Sequence, residues 1–302
     1  MATQRDDTPM KLAKIVKHCR VDKPRHFKLV NHDPAESFGL STDIEDVKRT
    51  LADSMARIEE LQQRLYAEGR WSVLIVLQGM DAAGKDGVVK HVMSGIDPQG
   101  CEVHSFKAPS AEELAHDFLW RTGKDVPGRG RIGIFNRSHY EEVLIVRVHP
   151  DMLERQNLPP SATGKNIWKH RFKEIRAFEQ HLARNGTLVL KFHLRISKDE
   201  QRKRFLARLD EPFKRWKFSP SDAAERKRWD DYMAAYEDMI RETSTDYAPW
   251  YVVPADHKHV AWLVVSAAII EALEGLKLEY PKVTGNALKA LRKAERALKA
   301  EK

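Results

Sequence analysis

Cysteine is nearly absent from this sequence. Only Cys19 and Cys101 occur in 302 residues, far apart and in no metal-ligand spacing. That excludes a disulfide scaffold and a cysteine zinc site, and makes a reduced, cytoplasmic setting the expectation. No run of 18 apolar residues occurs, and the opening MATQRDDTPM has no apolar core. Neither a membrane span nor a secretory leader is therefore expected. Internal repeats and low-complexity tracts are also missing. Evenly spread charge is lacking too. The net charge is +8, but segment 201–230 has ten Lys/Arg against five Asp/Glu, 1–30 eight against three, and 282–302 seven against two. The remainder of the chain is acidic. The basic character is local, so an acidic partner (nucleic acid, anionic membrane or a phosphate-rich substrate) is expected at specific sites or tails.

Hydrophobic residues make up 42% of the chain, enough for a sizeable core. One α/β domain of roughly 250 residues with terminal extensions, or two small domains, fits that length. Residues 1–40 are polar with scattered proline and read as an extended arm. From Asp43 to Glu68, Ile44, Val47, Leu51, Met55, Ile58, Leu61 and Leu65 recur every three or four positions, which predicts a long amphipathic helix. Ser72–Gln78 is a continuous apolar run, the pattern of a strand buried on both faces. Runs at Arg131–Phe135, Thr187–Leu194 and Trp250–Val253, and a weaker one at Glu102–Phe106, alternate with helical patterns. Alternation of this kind predicts an α/β fold with a parallel sheet. The end, with Leu288, Leu291 and Leu298 among Lys, Arg and Ala, reads as a basic amphipathic helix.

Between the first strand and the next helix stands Gly79-Met80-Asp81-Ala82-Ala83-Gly84-Lys85-Asp86-Gly87, a G-x-x-x-x-G-K phosphate loop in the required context. Glycines let backbone N–H groups turn toward phosphate oxygens, the helix N-terminus adds its dipole, and Lys85 supplies a mobile charge. Asp86 replaces the usual hydroxyl residue after the lysine. With Asp81 it places two carboxylates beside phosphates, an arrangement that calls for a divalent cation, Mg²⁺ with Mn²⁺ as the alternative ion. The run Arg131–Phe135 leads into Asn136-Arg137-Ser138-His139-Tyr140-Glu141-Glu142. Arg137 suits bidentate phosphate binding. His139 reads as a hydrogen-bonded structural residue, and Glu141 and Glu142 taken alone as a solvated turn.

Together, GMDAAGKDG, SFKAPSAEELAHDFLWR (105–121) and GIFNRSHYEEVL (133–144) resemble the polyphosphate kinase 2 family. So do SKDEQRKRFLARLDEPFKRWKFS (197–219), WDDYMAAYEDMI (229–240) and TSTDYAPWYVVPADHK (243–258). The resemblance implies a thymidylate-kinase-like P-loop fold, a three-layer sandwich with a helical lid, in a domain over 41–278 with the lid at about 198–230. The basic C-terminal helix then spans 279–302. It implies Mg²⁺-dependent exchange of phosphate between polyphosphate and nucleotides, with Asp81 and Lys85 as the catalytic aspartate and lysine. Asn136, Arg137 and Glu141 fall on the family's second-strand segment, which makes Asp81 and Glu141 the expected metal ligands. Many members carry Asp in place of Asn136 and Asn in place of Glu141. The N-R-S-H-Y-E form resembles the branch that phosphorylates nucleoside mono- and diphosphates alike. A homodimer or homotetramer, with neither nucleic acid nor membrane as partner, is also implied.

A nucleotide phosphate is mostly deprotonated at neutral pH, with a second pKa of about 6. The chemistry therefore needs cations and alignment more than a strong base. Lys85 and Arg137 fit that need, and Arg204, Arg208, Lys214 and Lys217 read as lid cations for polyphosphate. Trp120, Asp117 and Arg121 either line the same cleft or belong to a buried helix face. The rival readings are a polyphosphate kinase acting on diphosphates only, an ATP-dependent nucleoside monophosphate kinase and a non-enzymatic nucleic-acid binder.

Overall fold

A computed structural model describes residues 7–301. Five strands form one parallel sheet: β1 (Ser72–Gln78), β2 (Cys101–Ser105), β3 (Ile132–Asn136), β4 (Thr187–Arg195) and β5 (Trp250–Pro254), in the order β2–β3–β1–β4–β5. Every residue of the central β1 is buried, as its continuous apolar run requires. Register places Leu77 beside Asn136 and Gln78 beside His193. The loop after β1, the turn after β3 and the end of β4 therefore meet at the carboxyl edge of the sheet, where open α/β sheets bind ligands.

Helix α2 (Ile44–Glu68), which follows α1 (Asp7–Cys19), buries Val47, Leu51, Ile58, Leu61 and Leu65 along one stripe. The Asp43 carboxylate accepts from the Glu45 and Asp46 amides (3.0 Å each), and Gly69, at φ 62°, closes the other end. Such an N-cap contributes about 1 kcal/mol. Ile44, expected in the stripe, is exposed on the first turn. After α3 (Lys85–Val92) come α4 (Ile167–Arg184), α5 (Lys198–Asp210), α6 (Trp229–Thr243), α7 (Lys258–Gly275) and α8 (Gly285–Ala300). Helix α7 packs against α1, α2 and α3 on one side of the sheet, while α4 and α6 pack together on the other. Apolar residues all around α7 reflect that enclosure. The helical pattern expected over 111–121 is broken into two short pieces, Ala111–Leu114 and Trp120–Lys124.

The extended arm expected over 1–40 is corrected. Residues 1–6 lie outside the described residues, but Asp7–Cys19 is helical and buries Leu12, Ile15, Val16 and Cys19. Beyond it, the Val21 amide donates to Trp250 O (2.9 Å), and Ser244 Oγ donates to Val21 O (2.9 Å). The segment thus covers β5, an edge strand whose open backbone groups would otherwise invite pairing with another chain. No helix among the described residues is long and apolar enough to cross a membrane.

Candidate active site

The phosphate loop is built around its close approach to β4. A Cβ on Gly79 would lie 2.6 Å from Leu194 O, so no larger residue fits there. Ala82 takes φ 64°, and Gly84, at φ 110°, precedes the first residue of α3, Lys85. The Lys85 side chain is only 8% exposed and its ammonium donates to Gly79 O (2.5 Å) and Met80 O (3.2 Å). Burial pulls its pKa down to about 8; Arg137 adds to the fall, and Asp81, Glu141 and Asp86 oppose it. Since kcat/KM reports the free enzyme, its alkaline limb is expected to fall with an apparent pKa near 8. Lys85 is charged below that value and neutral above it. A profile flat to roughly pH 10, where an unperturbed lysine titrates, would contradict the burial argument.

Beyond β3, Arg137 adopts φ 63°, a left-handed conformation that costs a non-glycine residue on the order of 1 kcal/mol. It turns the guanidinium across the sheet edge, where Nη2 donates to Asp81 Oδ1 (2.5 Å) and Nη1 to Glu141 Oε2 (3.3 Å). Glu141 and then Asp81 push the Arg137 pKa further up, against the effect of burial. Gln78 supports the group from below. Turning its amide so that each end meets its complement puts the nitrogen 2.9 Å from Glu141 Oε1 and lets the oxygen accept from Ser138 Oγ and N (both 3.1 Å). Asp86 points elsewhere and accepts from Asn136 Nδ2 (2.8 Å). The structure thus joins Asp81, Lys85, Arg137 and Glu141 in one cluster, with Asp86 and Asn136 beside it.

Several expectations change. Arg204 is not a free lid cation: it is 8% exposed and its guanidinium is fully engaged. Nη1 donates to Ala82 O (2.9 Å) and Ala83 O (3.3 Å), Nη2 to Ala255 O (2.6 Å) and Asp256 O (2.8 Å), and Nε to Glu200 (2.9 Å). It sits on the inward face of α5 with Phe205 and Gln201, whose amide donates to Asp81 O (2.9 Å). Gln201 and Arg204 together hold the outer wall of the loop, a role sequence reasoning missed for both. Arg208, Lys214 and Lys217 remain on the outer part of the lid segment, where Arg208 donates to Lys217 O (3.4 Å) and Lys214 pairs with Glu211 (2.5 Å).

Glu142 is not on a solvated turn; it is buried, accepting from Arg171 Nε (3.0 Å) and Gln156 (2.7 Å). His139, expected to be hydrogen-bonded, is buried with Nε2 3.7 Å from Glu179 Oε1, but its ring nitrogens make no hydrogen bond among the described residues. Arg121 donates to Lys107 O (2.8 Å) and, with Asp117 and Glu142, lines a small cleft apart from the loop lysine. Trp120 stacks on His116 (3.9 Å) and under Lys124 (3.5 Å) and is not part of that lining.

Comparison with known proteins identifies the family. The family model described as "Polyphosphate kinase 2 (PPK2)" matches residues 41–281. A Rhodopseudomonas palustris protein named ADP-polyphosphate phosphotransferase is 60% identical over 235 residues, 78% of this chain and 81% of its own length. An AMP/ADP-polyphosphate phosphotransferase of Meiothermus ruber is 47% identical over 266 residues, covering 88% and 96%. The crystal structure of polyphosphate kinase 2 from Arthrobacter aurescens superimposes with a TM-score of 0.85 at 43% identity, covering 95% of this chain and 97% of that one. With the phosphate loop, the strand order and these matches in agreement, the chain belongs to the polyphosphate kinase 2 family.

Proposed function

We propose that the protein transfers a phosphoryl group between inorganic polyphosphate and nucleotides, taking AMP to ADP and ADP to ATP, with guanine nucleotides as further acceptors. The observation that carries this reading is the cluster of Lys85, Asp81, Arg137 and Glu141 at the carboxyl edge of the sheet. Two polyanions must meet there. Lys85 and Arg137 offset their repulsion and align them, and the outer part of the lid segment, beyond the anchored α5, closes over the phosphates and keeps out water as a competing acceptor.

Among the described residues, no group of three or more His, Cys, Asp or Glu gathers into a metal site. That suits Mg²⁺ arriving with its substrate, because this ion takes one or two carboxylates and completes its shell with phosphate oxygens and water. Asp81 and Glu141, now both facing Arg137, would hold it, and bound there it would neutralise charge on the phosphates. The family resemblance in the sequence also supports a homodimer or homotetramer.

Acceptance of a monophosphate rests on Asn136 and Glu141. The name of the Rhodopseudomonas relative favours a second reading, with diphosphates as the only acceptors. Incubation with Mg²⁺, long-chain polyphosphate and either AMP or ADP, followed by nucleotide chromatography, separates the two. Product from both tubes is expected. Product from ADP alone would limit the activity to diphosphates. Transfer to AMP from ATP but never from polyphosphate would make the protein an ordinary monophosphate kinase.

A further inference from the structure

Helix α8 begins after the last residue of the family match and buries none of its residues. Residues 279–284 leading into it are exposed as well. It carries Lys289, Arg292, Lys293, Arg296 and Lys299 against one acid, Glu295, which pairs with Lys299 (2.6 Å). The other four cations have no acidic partner within salt-bridge distance among the described residues. Their spacing of 0, 3, 4 and 7 puts them within an arc of about 100°, along roughly 10 Å of helix. Such a stripe of unpaired cations on one face of an exposed helix is suited to a linear chain of phosphates.

We infer that α8 is a second polyphosphate-binding element, one that holds a long donor chain while its end is consumed in the catalytic cleft. The inference rests on polyphosphate being the substrate. A flexible chain bound at one point has a raised effective concentration at the other, so the benefit belongs to long chains and vanishes for short ones. The leucines Leu288, Leu291 and Leu298 lie outside the cation stripe, 37%, 56% and 66% exposed. An anionic lipid surface would engage the leucines, whereas polyphosphate needs only the cations.

The test uses the full chain with Lys289, Arg292, Lys293 and Arg296 all replaced by glutamine, which keeps helix propensity and disturbs no core. Binding of fluorescently labelled long-chain polyphosphate, without nucleotide, is followed by anisotropy at several salt concentrations. We expect Kd to rise about tenfold, and the slope of log K against log salt to become shallower by roughly 3, by analogy with counterion release from single strands. In steady-state assays KM for the long chain should rise, while KM for short-chain polyphosphate and kcat stay as in the wild type. An unchanged long-chain Kd and salt slope would overturn the inference. So would binding to phosphatidylserine vesicles that is lost in Leu291→Gln/Leu298→Gln while the glutamine variant still binds polyphosphate normally. Binding of polyphosphate that depends on α8, with no transfer from any polyphosphate, would uphold the second site and refute the proposed reaction instead.

Discussion

Lys85→Ala is expected to lower kcat/KM for phosphoryl transfer by about 10³-fold, close to 4 kcal/mol of transition-state stabilisation, with little change in Tm. The side chain is the cation of the phosphate loop, buried under it and now donating to the Gly79 and Met80 carbonyls. Those two bonds keep the ammonium at the mouth of the loop, where it can turn toward an incoming phosphate oxygen. Removing it deprives the transferring group of a charge that solvent cannot replace in a closed, dry cleft. Stability should be nearly unaffected because two effects oppose each other. Each lost hydrogen bond costs on the order of 1 kcal/mol, but the charge itself is destabilising where burial has already pulled its pKa down to about 8. Steady-state kinetics and a thermal melt on one preparation decide the matter. Near-normal kcat/KM would show that the loop is not the phosphate site, and a collapsed melt would show that Lys85 serves the fold instead.

Much of this arrangement was legible in the residues. The run Ser72–Gln78, the phosphate loop and the start of α3 followed from local pattern alone, since a buried parallel strand and a glycine-rich turn each have few alternatives. Helix α1 was missed although Leu12, Ile15, Val16 and Cys19 keep helical spacing. Lys11, Lys14, Lys17 and His18 fill the positions between them, and the short stripe was lost in a polar segment. Arg204 was misread because charge in a sequence has no direction. The carbonyls it binds, at Ala82, Ala83, Ala255 and Asp256, come from two distant segments that only the folded sheet brings together. Lys191 did leave a signal. A lysine inside the apolar run Thr187–Leu194 must either lie at an edge or find a buried partner, and β4 is not an edge strand.

That partner sets the second large effect. Lys191→Met is expected to destabilise the protein by about 3–5 kcal/mol, because it leaves Glu179 charged and unpaired in the core. For a chain of this size the melting temperature should fall by roughly 5–8 °C. Both side chains have no exposed surface, and Lys191 Nζ donates to Glu179 Oε2 (2.6 Å), Tyr140 Oη (2.9 Å) and Thr243 O (2.8 Å). Tyr140 in turn donates to Glu179 Oε1 (2.7 Å). The network therefore anchors the turn between Arg137 and Glu141, and its loss should loosen the catalytic cluster as well as the fold. Burial would raise the Glu179 pKa, but Lys191 and His139 outweigh it and hold the carboxyl below its usual range. In the wild type this contributes stability at neutral pH that is lost as pH falls through the depressed pKa. In the variant the carboxyl titrates upward, so it regains a proton, and part of its stability, on mild acidification. The gap between the two proteins should thus be widest near neutrality and narrow toward roughly pH 5. The double variant Lys191→Met/Glu179→Leu should recover more than half of the loss, since no charge is left unpaired. A double variant no more stable than the single one, with a gap that does not depend on pH, would assign the effect to the bonds with Tyr140 and Thr243 rather than to the ion pair.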